Sequence, residues 1–411
     1  MNPQIAPQER LEAGSAGYRK ANLALFVAGF ACFAMLYGTQ PILPLLVDVF
    51  GVSPATASLT VSAGTITLAA LLIPASILSD RFGRQTVMRW SLVAAAVFAT
   101  LSALVTDFTQ LLVLRGLLGI AIAGVPAAAM AYLGEEIAPS AQGRAMGLYI
   151  AGNAFGGMSG RFLSAVLTDL GDWRLGLAAL GVLGAIAAFL FWRALPPSHH
   201  FRRRSIALPA LWRDVVSVYG DRGLPWLFVT AFLLMGSFVG LYNFLGFRLV
   251  SAPFELSPAW IGAIFLMYVI GSWASAWAGR LADRIGRRNV LWVMICIAAS
   301  GLLVTLAEHL VPIIIGLALF TFGFFGAHSV ASGWVGRRAG EQRALAAAIY
   351  LSSYYLGGSV VGSATGLAWT AAAWPGVVAM LGCTVGAVLL VSLRLRAIPR
   401  KDLPGGAALA A

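Results

Sequence analysis

Charged residues are scarce in this sequence of 411 residues: Asp, Glu, Lys and Arg together make up 11%, against 59% hydrophobic residues and a mean hydropathy of +0.84. A soluble globular domain has about 25% charged residues, so this composition excludes a water-exposed surface over most of the chain. Apolar stretches of about twenty residues recur instead, each long enough to cross ~30 Å of hydrocarbon. The sequence therefore predicts an all-α membrane protein surrounded by a lipid bilayer.

Cysteine is equally scarce, since Cys32, Cys296 and Cys383 are the whole complement, and all three lie in apolar stretches at spacings that match no metal site. We expect no disulfide, no metal and no cofactor. No metal-binding motif, buried Asp pair or Ser-His pairing indicates an enzyme, and the Gly-Lys-Ser/Thr loop of an ATP-driven pump is missing. The first twenty residues also lack the apolar core of a removable signal sequence.

Twelve apolar stretches between polar breaks predict twelve transmembrane helices. The first six lie near 21–46, 56–78, 87–106, 109–134, 143–168 and 174–193. The other six lie near 224–248, 258–281, 288–307, 311–335, 342–369 and 372–394. This division predicts an N-terminal six-helix half at 1–193, a cytoplasmic linker at 194–223, and a C-terminal six-helix half with a short cytoplasmic tail at 224–411.

The net charge of +12 comes from short clusters of basic residues, and because these clusters alternate with apolar stretches we do not expect nucleic-acid binding. Of the 28 Lys and Arg residues, 24 fall in the two termini, the linker and the loops on one predicted side of the membrane. Cytoplasmic loops are enriched in Lys and Arg. The distribution therefore predicts that both termini are cytoplasmic.

The two halves repeat each other. The sequence Ser-Asp-Arg-Phe-Gly-Arg at 79–84 returns as Ala-Asp-Arg-Ile-Gly-Arg at 282–287, an offset of 203 residues. A tyrosine followed by two glycines occurs in 149–157 and again in 350–358, an offset of 201. Halves of the same orientation are parallel repeats, an arrangement that places a solute site near the middle of the membrane.

The repeated loop carries a resemblance to a known family. Residues 279–288, Gly-Arg-Leu-Ala-Asp-Arg-Ile-Gly-Arg-Arg, resemble the signature loop of the major facilitator superfamily, and the first copy differs at Ser76 and Gln85. The motifs at 115–121, 152–157 and 37–44 are similar to others of the family, with the bacterial drug, sugar and metabolite efflux branch nearest. The resemblance implies that family's fold, with two parallel six-helix repeats, in the bacterial cytoplasmic (inner) membrane.

The signature loops are expected to act as a conformational latch. A tight turn needs glycine, and an aspartate can sit at the positive amino end of a neighbouring helix; for Asp80 the resemblance implies the helix that begins near Glu341. Glutamates at the end of span four could bridge to the arginines of the first loop. The alternative is that the loops are merely structural turns, basic only because of their place in the membrane topology, with no latch function. The predicted latch residues are Asp80, Arg81, Gly83, Arg84, Glu135, Glu136, Asp283, Arg284, Gly286 and Arg287.

Prolines and glycines are expected to bend two helices during transport. Span one contains Pro41 and Pro44, and span five contains Gly152, Gly156 and Gly157. The span-five sequence resembles the family's antiporter motif, although asparagine replaces the usual proline and leucine the first glycine. Small residues permit close contact and bending, which favours efflux, while tight packing alone is the alternative.

In this fold spans one, four, seven and ten line the central cavity, and each carries a polar residue. Polar groups are costly inside a membrane, so they should contact solute, water or one another. The alternative for Arg115 is that its side chain reaches the membrane surface, and the alternative for Arg161 is that it anchors a helix end. The aromatic residues could serve in packing only. The predicted cavity residues are Gln40, Arg115, Asn153, Arg161, Tyr242, Asn243, His328, Tyr354 and Tyr355.

The leading hypothesis is a secondary transporter that exports a small organic solute by proton antiport. His328 is the only histidine in a predicted span, and its ordinary pKa of ~6.5 suits a proton carrier, although a structural role is the alternative. No Asp or Glu lies deep in a span, which leaves the coupling ion open. A proton-coupled importer or uniporter and a membrane sensor are the competing hypotheses. A monomer would suffice, because one chain contains both halves.

Overall fold

The computed structural model describes residues 10–201, 203 and 208–398, and in this part of the chain the secondary structure is helical, with no β-strand. The helices of the first half are α1 Ala16–Tyr37, α2 Leu43–Phe50, α3 Pro54–Phe82, α4 Arg84–Leu101, α5 Phe108–Glu136, α6 Pro139–Leu170 and α7 Trp173–Ala194. The later helices are α8 Leu208–Tyr219, α9 Leu224–Val250, α10 Pro258–Ile264, α11 Tyr268–Ile285, α12 Arg287–Val304, α13 Leu310–Ala339 and α14 Arg343–Ala397.

These helices form twelve membrane-spanning segments, as predicted. The first span is α1 with α2, joined by a 3-10 turn at Gln40–Ile42, and the eighth is α10 with α11, joined by a 3-10 turn at Phe265–Met267. The long helix α14 supplies the last two spans, because its backbone leaves helical geometry at Ala372 and Ala373. By length and hydropathy alone, eight helical stretches of the described chain qualify as spans, and the longest, Leu310–Ala397, includes three of the twelve.

Local sequence signals set where several helices begin. The Ser53 hydroxyl accepts a hydrogen bond of 3.1 Å from the Thr56 backbone N–H and caps α3, and the Asp107 carboxylate accepts one of 2.9 Å from the Gln110 N–H and caps α5. Such side chains satisfy amide groups that have no partner inside the helix. Pro54 follows its cap directly, where the missing N–H of proline costs nothing.

The linker contains a helix that the sequence analysis did not predict. Helix α8 lies within 194–223 and exposes Trp212, Val216 and Tyr219. The part of the linker before α8 contacts the first half, since the Tyr132 hydroxyl donates a hydrogen bond of 3.0 Å to the carbonyl of Pro196.

The described residues divide into two compact units. The first contains those before Ile206 together with Leu245–Leu266, and the second contains the remainder. Leu245–Leu266 contacts mainly residues of the first unit, so the units do not follow the repeat boundaries. The predicted division at 194–223 stays a prediction. In the first unit α1 packs on α6 and α3 on α5, and in the second α13 packs on α11 and α12.

Candidate functional site

The two signature turns have the same backbone geometry. One residue, Gly83, separates α3 from α4, and its φ and ψ are 97° and 144°. Gly286 separates α11 from α12 with φ and ψ of 90° and 140°. Side chains other than hydrogen disfavour such positive φ values, so glycine is required at both positions.

Arg84 is the centre of the first turn. Its guanidinium lies 2.5 Å from the Asp80 carboxylate and 2.9 Å from that of Glu135, and it donates a further hydrogen bond of 2.7 Å to the Ser79 hydroxyl. Only 5% of Arg84 is exposed. The structure therefore brings three predicted latch residues together on α3, α4 and α5, whereas Arg81 lies over the ring of Phe82.

Glu136 has a different partner from Glu135. Its carboxylate accepts hydrogen bonds from the Ser198 hydroxyl at 2.7 Å and the His200 backbone N–H at 2.8 Å, and it lies 2.9 Å from His200 Nδ1. Glu136 thus holds the linker against α5 and does not face the arginines of the first loop.

The second turn repeats the Asp–Arg ion pair of the first turn. The residue that a neighbouring helix adds to this pair is basic, however, and not acidic. The Asp283 carboxylate lies 2.8 Å from Arg287 on the next helix and 2.9 Å from Arg337 on α13. In the first unit the neighbouring helix contributes an acidic group to an arginine, whereas here it contributes a basic group to an aspartate. Arg284 is exposed.

A second ion pair in the second unit joins α13 to the residues just before α9. The Asp221 carboxylate accepts a hydrogen bond from Arg338 and others from the backbone N–H groups of Gly223 (2.8 Å) and Leu224 (2.9 Å). Burial by itself would raise the pKa of Asp221, but these hydrogen bonds and the charge of Arg338 outweigh it and hold the pKa below its ordinary value.

Arg161 is the centre of a buried polar cluster in the first unit. Its guanidinium donates a hydrogen bond of 2.6 Å to the Gln40 amide oxygen and one of 2.6 Å to the Gly157 carbonyl. It also lies 4.0 Å from the ring centroid of Tyr37 and 5.1 Å from that of Phe265. Arg161 is 3% exposed, so carbonyl dipoles and ring faces stabilise a charge held away from bulk water. Two predicted cavity residues therefore meet here.

Arg115 contacts backbone carbonyls. It donates hydrogen bonds to the carbonyl oxygens of Thr60 (3.0 Å) on α3 and of Met35 (2.8 Å) and Leu36 on α1. Only 2% of the residue is exposed. Arg115 thus connects three helices inside the first unit, and its predicted place in the cavity stays a prediction.

The glycines of span five lie against the backbone of α1. A Cβ atom at Gly152 would meet the backbone of Phe26, and one at Gly156 would meet that of Phe30. The second unit repeats this contact, because a Cβ at Gly357 on α14 would meet the backbone of Phe232 on α9. The remaining predicted bending and polar residues of this region lie close by: Gly157 beside Arg161, Asn153 beside Gly29, Pro41 within the 3-10 turn and Pro44 in the first turn of α2.

His328 is the centre of the cluster in the second unit. Its Nδ1 lies 3.0 Å from the Tyr350 hydroxyl, and its ring centroid lies 4.6 Å from that of Tyr354. The Phe324 ring, one helical turn earlier on α13, is parallel to the imidazole at 6.2 Å. The structure thus brings two predicted cavity residues together with two that were not predicted.

The aromatic contacts continue from Phe324 to α9. Phe238 stacks on Phe324 at 3.9 Å between centroids and lies 4.8 Å from Tyr242, whose hydroxyl is 2.7 Å from that of Thr321. We call this group the His328 cluster: Phe238, Tyr242, Tyr268, Thr321, Phe324, Phe325, His328, Tyr350 and Tyr354. Tyr355 lies against Tyr354 at 5.3 Å, and Asn243 is fully buried on α9.

Sequence reasoning missed several members of this cluster. Phe238 precedes Tyr242 by four residues, Phe324 precedes His328 by four, and Tyr350 precedes Tyr354 by four. Residues four apart lie on one face of a helix, so the spacing is a signal that could have identified them.

The chain has twelve spans, two repeated turns and polar side chains buried between its helices. These features define a multi-pass membrane protein of the transporter class. The chain belongs to the Major Facilitator Superfamily, whose sequence pattern matches residues 25–277. The predicted family and fold are therefore confirmed, and the chain is a membrane transporter.

Two relatives cover almost the whole chain. The "Uncharacterized MFS-type transporter YybF" of Bacillus subtilis (strain 168) is 43% identical over 371 residues, which are 90% of this chain and 92% of that protein. The "Inner membrane transport protein YnfM" of Escherichia coli (strain K12) is 43% identical over 389 residues, 95% of this chain and 93% of that protein.

Solved structures of low sequence identity share the fold. A bacterial homologue of the human lysosomal transporter Spinster, in an inward-facing and unoccupied conformation, has a TM-score of 0.75 at 16% identity and covers 93% of this chain and 96% of its own. The human organic anion transporter MFSD10 has a TM-score of 0.70 at 17% identity and covers 91% of this chain and 99% of its own.

Proposed function

We propose that this transporter exports a small organic solute across the bacterial cytoplasmic membrane in exchange for protons, by alternating access. The observation that carries the proposal is the 3.0 Å contact between His328 Nδ1 and the Tyr350 hydroxyl inside a cluster of aromatic rings. The relative named as an inner membrane transport protein supports the location. The one-sided distribution of arginine supports cytoplasmic termini.

His328 supplies the group that binds and releases the proton. A neutral imidazole can accept a hydrogen bond at Nδ1 from the Tyr350 hydroxyl, whereas a protonated imidazole has a hydrogen at both ring nitrogens and must donate instead. Protonation therefore forces the Tyr350 hydroxyl to turn. The backbone carbonyl of His328, 3.5 Å from the hydroxyl, is the acceptor towards which it turns. One proton thus changes the contact between α13 and α14, a local requirement for coupling to a conformational change.

The aromatic residues around His328 indicate the chemistry of the solute. Rings from α9, α11, α13 and α14 lie in one group, and Tyr242, Tyr350 and Tyr354 each combine a flat apolar face with a hydroxyl. Such side chains bind a partly apolar, planar solute by stacking and fix its orientation by hydrogen bonds. We therefore assign the solute to the amphipathic organic compounds.

The repeated glycine contacts support the conformational part of the proposal. Gly156 and Gly357 allow backbone-to-backbone approach at matching places in the two repeats. Close small-residue contacts let membrane helices change their mutual angle without separating large side chains. The turns at Gly83 and Gly286, with their ion pairs, are proposed as the latch that opens and closes with the transport cycle.

The test is the pH change that candidate solutes produce in everted membrane vesicles energised by respiration. We expect at least one amphipathic compound to collapse the pH gradient with the wild type and not with His328→Ala. Tyr350→Phe, which removes only the hydroxyl, should weaken the response. His309→Ala is the matched control, since His309 is an exposed histidine ahead of α13.

The alternative is a proton-coupled importer or a uniporter. If no compound changes the pH gradient while counterflow of the same compounds proceeds, the antiport proposal is wrong and His328 carries no proton. Counterflow that is unaffected by His328→Ala would point to the uniporter.

A further inference from the structure

Arg89 on α4 is half-buried, yet within the described residues it makes no ion pair and no hydrogen bond. Its guanidinium lies 5.2 Å from the ring centroid of Trp192 on α7, and its Nε is shielded from water. Arg84, five residues earlier, is by contrast bonded to two carboxylates. A charged N–H group that is shielded from water and has no acceptor is costly, so the position of Arg89 calls for an anion from outside the chain.

An apolar groove begins at Val93, one helical turn beyond Arg89. It runs between α4 and α7 and has a volume of about 470 Å³. Trp192 belongs both to the groove and to the contact with Arg89. Several of its side chains are large and exposed, namely Val97 (48%), Phe189 (62%) and Trp192 (42%). In a membrane protein such a surface faces hydrocarbon, so the groove is open to a lipid chain.

Two tryptophans indicate the depth in the membrane at which Arg89 lies. The rings of Trp90 and Trp192 meet edge to face with centroids 5.7 Å apart. Tryptophans concentrate where hydrocarbon meets headgroups. The groove reaches Leu101, twelve residues beyond Arg89, and at a rise of 1.5 Å per residue this distance is about 18 Å, slightly more than half of a hydrocarbon core of ~30 Å. The distance from Arg89 to the far end of the groove therefore matches a lipid of a single leaflet, with its headgroup at Arg89 and an acyl chain in the groove.

We propose that the groove between α4 and α7 binds an anionic phospholipid, with its phosphate on Arg89 and an acyl chain along the apolar wall. Arg193, which follows Trp192 and lies 5.9 Å from the Phe189 ring, provides a second positive charge next to the same end. Two arginines favour a headgroup with net negative charge over one with an attached ammonium group. The site is independent of the transported solute and of the coupling ion.

The experiment is native mass spectrometry of the purified full chain with dioleoyl phosphatidylglycerol, and with dioleoyl phosphatidylcholine as the zwitterionic comparison. Arg89→Gln should bind phosphatidylglycerol about tenfold or more weakly, as expected when a charge-assisted hydrogen bond is lost. Ala185→Trp should weaken binding by filling the groove, because Ala185 is an exposed lining residue and its replacement leaves the core unchanged.

Arg144→Gln is the control, since it removes an exposed arginine of the same half and should leave binding unchanged. The thermal unfolding temperatures of all variants without added lipid should match that of the wild type, which shows that folding is intact. Equal binding of phosphatidylglycerol by the wild type and Arg89→Gln would overturn the proposal. Equal binding of the two lipids by the wild type, or binding of glycerol 3-phosphate as tight as that of the lipid, would also overturn it.

Discussion

The guanidinium of Arg161 and the amide oxygen of Gln40 are 2.6 Å apart, although the two residues are 121 positions apart in the chain. The contact joins α6 to the interrupted first span, at the 3-10 turn that separates α1 from α2. It fixes the orientation of a buried charge, because the same guanidinium also bonds the Gly157 carbonyl within its own helix.

Gln40→Leu should destabilise the protein by about 1.5–3 kcal/mol, the range for a lost hydrogen bond to a charged group. Gln40→Glu keeps an acceptor and adds a negative charge, so it should unfold at a temperature equal to or above that of the wild type. Thermal unfolding in detergent checks both variants. If the leucine and glutamate variants unfold at the same temperature, the Arg161 contact contributes nothing.

Gly156→Ala and Gly357→Ala should each destabilise by about 1–3 kcal/mol, the range for overpacking, because the new methyl group would overlap backbone atoms of Phe30 or Phe232. Gly147→Ala on α6 and Gly382→Ala on α14 are the controls, since open space surrounds both positions. Unfolding temperatures of the four variants give the comparison. Equal effects in all four would mean that close approach of the helices is not what requires glycine.

Gly83→Ala and Gly286→Ala should cost about 1–3 kcal/mol each through backbone strain, since both positions have positive φ. The effect should be similar in the two repeats. Gly143→Ala, on α6 with no atom near the new methyl group, should be neutral or slightly stabilising. Denaturation by heat of each purified variant measures the difference, and an unaffected Gly83→Ala protein would contradict the strain argument.

Arg115→Met should destabilise by about 3 kcal/mol or more, because three hydrogen bonds from a buried charged group are lost, at about 1.5–3 kcal/mol each. Arg115→Lys should restore only part of the stability, since an ammonium group cannot span the three acceptors as a planar guanidinium does. The yield and unfolding temperature of folded protein are the measurements. Arg213→Met, on the exposed linker helix, is the control, and a fully stable Arg115→Met protein would exclude the structural role.

Asp221→Asn should lower stability by about 1.5–3 kcal/mol at pH 7, because the carboxylate bonds to Arg338 and to the first amides of α9. A carboxyl with a lowered pKa contributes stability above its unfolded pKa of about 3.9 and loses it as the pH falls further. The difference between wild type and variant should therefore shrink steadily as the pH falls below about 3.9. Unfolding curves from pH 7 to pH 3 check this.

Exposed Asp214→Asn on α8 should change little at any pH. A gap between wild type and Asp221→Asn that persists unchanged at pH 3 would mean that the charge of Asp221 is not the cause.

The sequence was informative about spans, repeats and turns because these depend on residues close together in the chain. Hydropathy counted over about twenty residues predicts a span, and the Asp-Arg-x-Gly-Arg pattern predicts the turns at Gly83 and Gly286. The linker helix α8 was missed, since a short amphipathic helix carries a weak signal beside twelve apolar spans.

The partners of the polar residues were much less predictable. Glutamates 135 and 136 are neighbours in the sequence, but the first bonds Arg84 and the second bonds the linker at Ser198 and His200. Arg115 donates to carbonyls that belong to residues 55 to 80 positions away, and no local pattern in the sequence indicates these partners.

The sequence by itself determined the family, the twelve spans and the repeated turns, because hydropathy and motif spacing are properties of the chain that need no knowledge of packing. Only the tertiary structure decided which groups meet: Arg161 with Gln40, Arg115 with the carbonyls of two other helices, and His328 with Tyr350. These contacts depend on how each helix is rotated about its axis and on how closely its small residues let it approach its neighbours, and neither quantity is encoded in a local pattern.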